Sequence, residues 1–169
     1  GQLNFPLLSH PAAVFSVSMT ADNRFIATAS RDGNVRIWDA SIVERGSEDF
    51  PQQFSLHNSS YSDDGRNFIL ATPEHNAVAW RRQVPILPVF SLDHQDGIGR
   101  VTYGPGNNRI VTATVKGSVH LWNATGGESI AELSVEGKPA TKVIFSPDGG
   151  QIATTTNDRY LHLWNANDG

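Results

Sequence analysis

Four tryptophans recur at a constant interval in this 169-residue chain, and that interval constrains its fold more than any other feature. They are Trp38, Trp80, Trp122 and Trp164, and each lies 42 residues from the next. A period of about 20 to 50 residues is typical of repeat proteins, whose units bury their apolar faces against one another. The chain is therefore expected to contain four copies of one structural unit.

Other positions repeat in register with the tryptophans, as shared packing positions should. A large apolar residue stands 19 positions before each tryptophan, at Met19, Tyr61, Tyr103 and Phe145. Another stands 12 positions before it, at Ile26, Phe68, Ile110 and Ile152. A hydroxyl-bearing residue stands eight positions before it, at Ser30, Thr72, Thr114 and Thr156.

Tight turns divide each unit into short β-strands. Pairs that readily adopt positive φ fall at one offset in every unit: Asp22-Asn23, Asp64-Gly65, Gly106-Asn107 and Asp148-Gly149. Runs rich in β-formers, such as Phe25 to Ser30, lie between the turns, and no segment has helical apolar spacing. Pro6, Pro51 and Pro88 accompany a weaker fourth segment, and proline is confined to sheet edges. The pattern predicts an all-β fold, a β-propeller of four-stranded antiparallel blades.

The expected blades divide one propeller module, residues 1–169, at approximately 10–56, 57–92, 93–135 and 136–169, with an outer strand at 2–8. The second blade is the most degenerate. Its inner strand, near Leu56 to Tyr61, is polar, so we expect it to be less regular. We also expect a longer outer loop around Ser41 to Asp49.

Two segments resemble the WD40 family. The run Ile26–Asp39, IATASRDGNVRIWD, is similar to the family signature, and Phe145–Gly149 is similar to its usual first hairpin. With the other repeats in register, the resemblance covers essentially the whole chain. It implies a structural tetrad, complete only in the first blade: His10, Ser30, Asp32 and Trp38. The other blades depart from it at Gln52, Glu74, Lys116 and Glu136.

Ring closure has several solutions. The chain begins with a candidate outer strand, Leu3 to Leu8, and ends after a third strand, Tyr160 to Trp164. Propellers of this family close when the first strand completes the last blade, and they typically have about seven or eight blades. Two chains could form a homodimer with one eight-bladed ring, one chain could close alone, or the chain could be part of a longer propeller. We favour the dimer; an engineered propeller also fits the uniform period.

Catalysis is disfavoured by the repeat itself. His10, Ser30 and Asp32 have the side chains of a hydrolase triad, but their offsets recur with substitutions in other blades. That recurrence favours a structural role, in which these side chains form a hydrogen-bonded network with the Trp38 indole. The sequence also contains no Gly-x-Ser-x-Gly motif of the kind that carries a nucleophilic serine. The scattered histidines His57, His75, His94, His120 and His162 lack zinc-site spacing. We predict no enzyme activity, cofactor or metal.

Charge and hydropathy limit the classes of partner that the chain can be expected to bind. The net charge is −4, the pI is about 5.8, and Arg81-Arg82 is the only basic pair, so nucleic acid is an unsuitable partner. No apolar stretch is long enough for a membrane helix. Gly1 to His10 lacks the features of a signal peptide, which leaves the compartment open and slightly favours an intracellular location.

Proteins or peptides remain as the expected partners, and the chain is expected to act as a non-catalytic interaction scaffold. By the family resemblance, partners dock on loops between outer and inner strands and between second and third strands. The candidates are Phe15, His57, Gly99 and Thr141 in the first set, and Arg31, Pro73, Val115 and Asn157 in the second. Phe15 and Arg31 stand out because aromatics and arginine dominate binding hot spots. Phe15 could instead pack between blades, and a self-assembling propeller without an evolved partner is an alternative function.

Overall fold

A computed structural model describes residues 8–40, 47–51, 58–72, 76–82, 87–134, 138, 140–157 and 159–168. Most of the expected outer strand at 2–8 lies outside these residues. So do two of the expected docking residues, His57 and Pro73, and three of the substituted tetrad positions, Gln52, Glu74 and Glu136.

The described residues form β-strands, one short 3-10 turn at Pro105–Asn107, and no α-helix. The first sheet contains β1 (Val14–Met19), β2 (Phe25–Ser30), β3 (Asn34–Asp39) and β4 (Ser47–Pro51). The second contains β5 (Asn58–Tyr61), β6 (Asn67–Ala71), β7 (Asn76–Arg81) and β8 (Leu87–Asp93). The third contains β9 (Ile98–Tyr103), β10 (Arg109–Thr114), β11 (Ser118–Asn123) and β12 (Ser129–Ser134). The fourth contains β13 (Ala140–Phe145), β14 (Gln151–Thr156) and β15 (Leu161–Asn165).

Each sheet is a meander in which strands pair antiparallel in chain order. The predicted fold class is confirmed, since these sheets have the architecture of propeller blades. We call them the first to fourth blades. In the part of the chain that the structure describes, the fourth blade has three strands. How the ring closes stays a prediction.

Two expectations for local structure need correction. Of the longer outer loop expected around Ser41 to Asp49, the last three residues belong to β4, so residues 40–46 join β3 to β4. The inner strand of the second blade, β5, is regular from Asn58 to Tyr61 and pairs residue for residue with β6. Its polar side chains serve the neighbouring blade: Asn58 Oδ1 accepts the Val101 backbone N–H at 3.0 Å, and Ser60 Oγ accepts that of Tyr103 at 3.0 Å.

The hairpins joining the first two strands of the blades repeat one hydrogen-bonded turn. In the first, second and fourth blades, a Thr or Ser hydroxyl donates to the Asp two residues later: Thr20 to Asp22, Ser62 to Asp64 and Ser146 to Asp148. A residue with positive φ follows each Asp, and at Gly65 φ is 63°. A Cβ at Gly65 would lie 2.7 Å from the Thr20 side chain, so a larger residue would collide with the preceding blade.

The hydrophobic core lies between blades. One cluster joins Val35 and Ile37 of the first blade to Phe68 and Leu70 of the second. A second cluster joins the second and third blades, where Trp122 is buried. A third cluster joins the third and fourth blades. Burial of apolar surface therefore fixes each blade on its neighbour.

Candidate interaction site

A threonine hydroxyl links a histidine to a tryptophan in the first blade. Thr28 Oγ1 lies 2.7 Å from His10 Nε2 and 2.9 Å from the Trp38 indole nitrogen. His10 Nδ1 lies 3.0 Å from the Leu8 carbonyl oxygen. A carbonyl can only accept, so in the neutral ring Nδ1–H donates to Leu8 and Nε2 accepts from Thr28. This chain of hydrogen bonds satisfies buried polar groups.

The expected tetrad is corrected at its hydroxyl position. Ser30 donates instead to the Ala12 carbonyl oxygen at 3.1 Å. Asp32 contacts Arg36 Nη1 at 2.8 Å and accepts the Asn34 backbone N–H at 2.9 Å. Burial tends to raise the pKa of Asp32, but the hydrogen bond from Asn34 and the Arg36 guanidinium outweigh it and lower the pKa.

The linkage recurs, with changes, in the other blades. In the third blade Thr112 Oγ1 lies 2.7 Å from His94 Nε2 and 2.8 Å from the Trp122 indole nitrogen. In the fourth blade Trp164 donates to Thr154 at 3.0 Å. The second blade has Leu70 at this position, and the indole N–H of Trp80 is buried without a hydrogen-bond partner among the described residues.

This geometry does not provide a hydrolase triad. A serine nucleophile needs a hydrogen bond to its general base, and the base needs an orienting carboxylate. Both ring nitrogens of His10 are bonded elsewhere, and the Asp32 side chain is engaged by Arg36 and Asn34. Among the described residues, no group of three His, Cys, Asp or Glu side chains could hold a metal ion.

Two histidines of the third blade share one partly buried site. The rings of His94 and His120 are 5.0 Å apart and perpendicular, and both contact Trp122. Burial, together with the neighbouring His120, lowers the pKa of His94 to about 4. Burial also lowers the pKa of His120. The paired imidazoles are therefore neutral at neutral pH.

A β-bulge lies at the same position on three inner strands. Pairing of each strand with its neighbour skips one residue: Phe15 in β1, Gly99 in β9 and Thr141 in β13. These residues are the described members of the first set of expected docking positions. A bulge turns its extra residue out of the ladder and is common at functional rims. Phe15 is 52% exposed, so the described residues do not bury it between blades.

The second set of docking positions lies beside these bulges. The Arg31 backbone N–H donates to the Ala13 carbonyl oxygen at 2.8 Å, and Val115 N–H donates to the Gly97 carbonyl oxygen at 2.8 Å. Arg31, Val115 and Asn157 are exposed. We call the surface formed by these neighbouring loops the loop face, and its described candidates are Phe15, Arg31, Gly99, Val115, Thr141 and Asn157.

Sequence reasoning missed three charged residues at the loop face. Arg100 is exposed and bridges two blades, because its guanidinium donates to the Gly99 carbonyl at 2.8 Å and the Thr141 carbonyl at 3.3 Å. Lys116 contacts Asp96 at 2.5 Å across the two loops of the third blade. The substitution of Lys at the expected acidic position of the tetrad was the available signal for this ion pair.

No helix within the described ranges could cross a membrane.

Segments of several longer proteins are similar to this chain. The 28%-identical telomerase protein component 1 of Rattus norvegicus matches over 129 residues, 69% of this chain and 5% of that protein. A probable serine/threonine-protein kinase vps15 of Dictyostelium discoideum is 27% identical, over 68% of this chain and 7% of the relative. Protein HIR1 of Yarrowia lipolytica is 23% identical, over 71% and 15%. The chain thus spans between 5% and 15% of the length of these relatives.

The family comparison covers more than half of the chain. The model of the WD domain, G-beta repeat, matches residues 1–39, 87–123 and 127–165. These ranges include the repeats whose buried threonine contacts the tryptophan indole. The chain belongs to the WD40 repeat family.

Proposed function

We propose that this chain is a non-catalytic protein-interaction module that binds a protein or peptide on its loop face. Members of the WD40 family typically act as interaction scaffolds. The observation that carries the proposal is the bulge repeated at Phe15, Gly99 and Thr141. At Phe15 and Thr141 the bulge places an exposed side chain beside the loops that carry Arg31 and Val115, on strands that need little ordering on binding.

The chemistry of the loop face favours a partner with both apolar and acidic groups. Phe15 and Val115 are about half exposed, at 52% and 50%. Arg31 and Arg100 are exposed cationic residues, and the Arg100 guanidinium also donates to the Gly99 and Thr141 carbonyls. An aromatic anchor flanked by arginine is the composition of a binding hot spot. Arginine can also bind a carboxylate with two parallel hydrogen bonds.

A peptide-display library selected on the unmodified chain tests this proposal. Binding of the selected peptides is then measured for Phe15→Ala and Arg31→Ala. Each variant is expected to weaken binding at least tenfold, about 1.4 kcal/mol, if its side chain is a hot spot. The matched controls are Ile130→Ala on an outer strand and Arg66→Ala at the opposite end of the strands, both exposed.

The controls should retain the affinity of the unmodified chain. Equal affinities for all four folded variants would remove the loop face as the binding surface. A loss of affinity only with Arg66→Ala would move the surface to the other end of the strands, and a loss only with Ile130→Ala would move it to the outer strand.

A further inference from the structure

Each blade has two sheet faces that meet different neighbours. We call the face toward the next blade in the chain the leading face, and the face toward the preceding blade the trailing face. Each of the three core clusters joins a leading face to a trailing face. The trailing face of the first blade and the leading face of the fourth blade belong to none of them.

The trailing face of the first blade exposes apolar side chains on β1. Val17 is 65% exposed and Met19 is 50% exposed. The residues at the same repeat positions in the third blade, Val101 and Tyr103, are 3% and 8% exposed because the second blade covers them. The trailing face of the first blade therefore carries exposed apolar residues at positions that a neighbouring blade covers elsewhere in the chain.

The leading face of the fourth blade shows the complementary pattern on β15. Leu161 and Leu163 are 59% and 61% exposed. Their counterparts in the third blade, Val119 and Leu121, are fully buried against the fourth blade. Contiguous apolar surface of this kind marks an interaction site.

The two exposed faces match the halves of an existing core. Between the third and fourth blades, Val119 and Leu121 pack in one cluster with Val143, Ile152 and Ala166. The same repeat positions on the exposed faces hold these residues: Leu161 and Leu163 on the leading face, and Val17, Ile26 and Ala40 on the trailing face. A surface that fits the first blade's trailing face is therefore present on the fourth blade.

We propose that a second copy of this chain covers these faces, leading face against trailing face, and that two copies close one ring of eight blades. Within the part of the chain that the structure describes, no other blade covers either face. A second copy supplies both complements at once, in two identical contacts related by a twofold axis. Closure leaves neither face in water. This inference does not depend on the proposed loop-face function.

Solution mass by size exclusion with light scattering tests the ring, with the unmodified 169-residue chain over a range of concentrations. The expected mass is about twice 18.4 kDa. Val17→Glu and Leu163→Lys should each shift the chain to the monomer mass, because each buries a charge in both contacts. Ile130→Glu, at an exposed position on an outer strand, should keep the dimer mass.

Mixing Val17→Glu with Leu163→Lys distinguishes a contact of leading face against trailing face from a contact between two like faces. A mixed pair has one unmodified contact and one contact between Glu and Lys, so it should recover a dimer mass that neither variant shows alone. A contact between two like faces would not be rescued in this way. An 18.4 kDa mass for the unmodified chain would overturn the proposal and assign the faces to further blades of a longer polypeptide. A mass that grows beyond two copies would overturn ring closure.

Discussion

A single threonine hydroxyl serves two rings in the first and third blades. In the third blade His94 Nδ1 lies 3.0 Å from the Leu92 carbonyl oxygen, so that nitrogen carries the proton. Nε2 then accepts from Thr112, whose oxygen accepts from the Trp122 indole. Each donor has one acceptor, and the neutral imidazole is the form that fits.

Thr112→Val should destabilise the third blade without changing its packing volume. The valine leaves His94 Nε2 and the Trp122 indole N–H without a partner at a site where Thr112 is fully buried. An unsatisfied buried polar group costs about 1–3 kcal/mol, so the free energy of unfolding should fall by about 2–4 kcal/mol. Urea unfolding measures it. Thr125→Val, an exposed turn position in the same blade, should change stability by less than about 0.5 kcal/mol.

The free energy of unfolding should fall as the pH is lowered from about 6.5 to 4, because of His94. Its pKa is about 4 in the fold and returns to 6.5 on unfolding, so the unfolded chain binds the additional proton in this window. We expect a loss of about 2 kcal/mol, below the full linkage value because the ring is partly in contact with solvent. Hydrogen bonds from neighbouring hydroxyls lower the pKa values of Asp22 and Asp148. The stabilisation from these two carboxylates is therefore lost only at lower pH, when they become protonated.

Urea unfolding at pH 7, 6, 5 and 4 gives the free energy of unfolding for the unmodified chain and for His94→Gln. The glutamine variant should show a smaller loss over this range because its side chain does not titrate. Equal pH dependence in both proteins would assign the effect to other groups.

At the scale of the element, inner strands are joined across blades by side-chain acceptors. Ser60→Ala should lower the free energy of unfolding by about 1 kcal/mol, because the Tyr103 backbone N–H loses its acceptor on the neighbouring strand. Ser91→Ala makes the same chemical change on the outer strand of that blade, where the exposed hydroxyl donates to Asp93. Thermal unfolding should show almost no effect of Ser91→Ala. Equal losses for both variants would contradict a special role for the inner strand.

Strands and hairpins could be predicted from sequence because their signals are local. The positive φ at Asn23, Gly65 and Gly149 lies at the predicted turns. Which hydroxyl contacts the tryptophan could not be chosen by spacing. Thr28 and Ser30 are two residues apart and therefore share one face of the strand.

The bulges were also missed, since pairing register depends on both strands. Their positions explain why Phe15, Gly99 and Thr141 leave the ladder. The family resemblance selected these residues as docking positions, but the residues themselves give no local signal for a bulge.

At the scale of the whole molecule, the described residues of the four blades form three buried clusters and leave two apolar faces exposed. Each blade depends on a neighbour for its apolar burial, as in other repeat proteins. Association of two copies should therefore stabilise the blades at both ends of the chain, and not only join blades that are already stably folded.

Thermal stability should consequently increase with protein concentration. Mass action favours a folded dimer over unfolded chains, by about 1.4 kcal/mol of dimer for each tenfold rise in concentration. With the unfolding entropy of two chains of this length, the Tm should rise by about 4 °C over a hundredfold range. Differential scanning fluorimetry or calorimetry can measure this shift. Leu163→Lys should unfold at a Tm that does not depend on concentration, because its leading face cannot be covered. A concentration-independent Tm for the unmodified chain would mean that the end faces stay exposed to solvent and that the blades fold without a second copy.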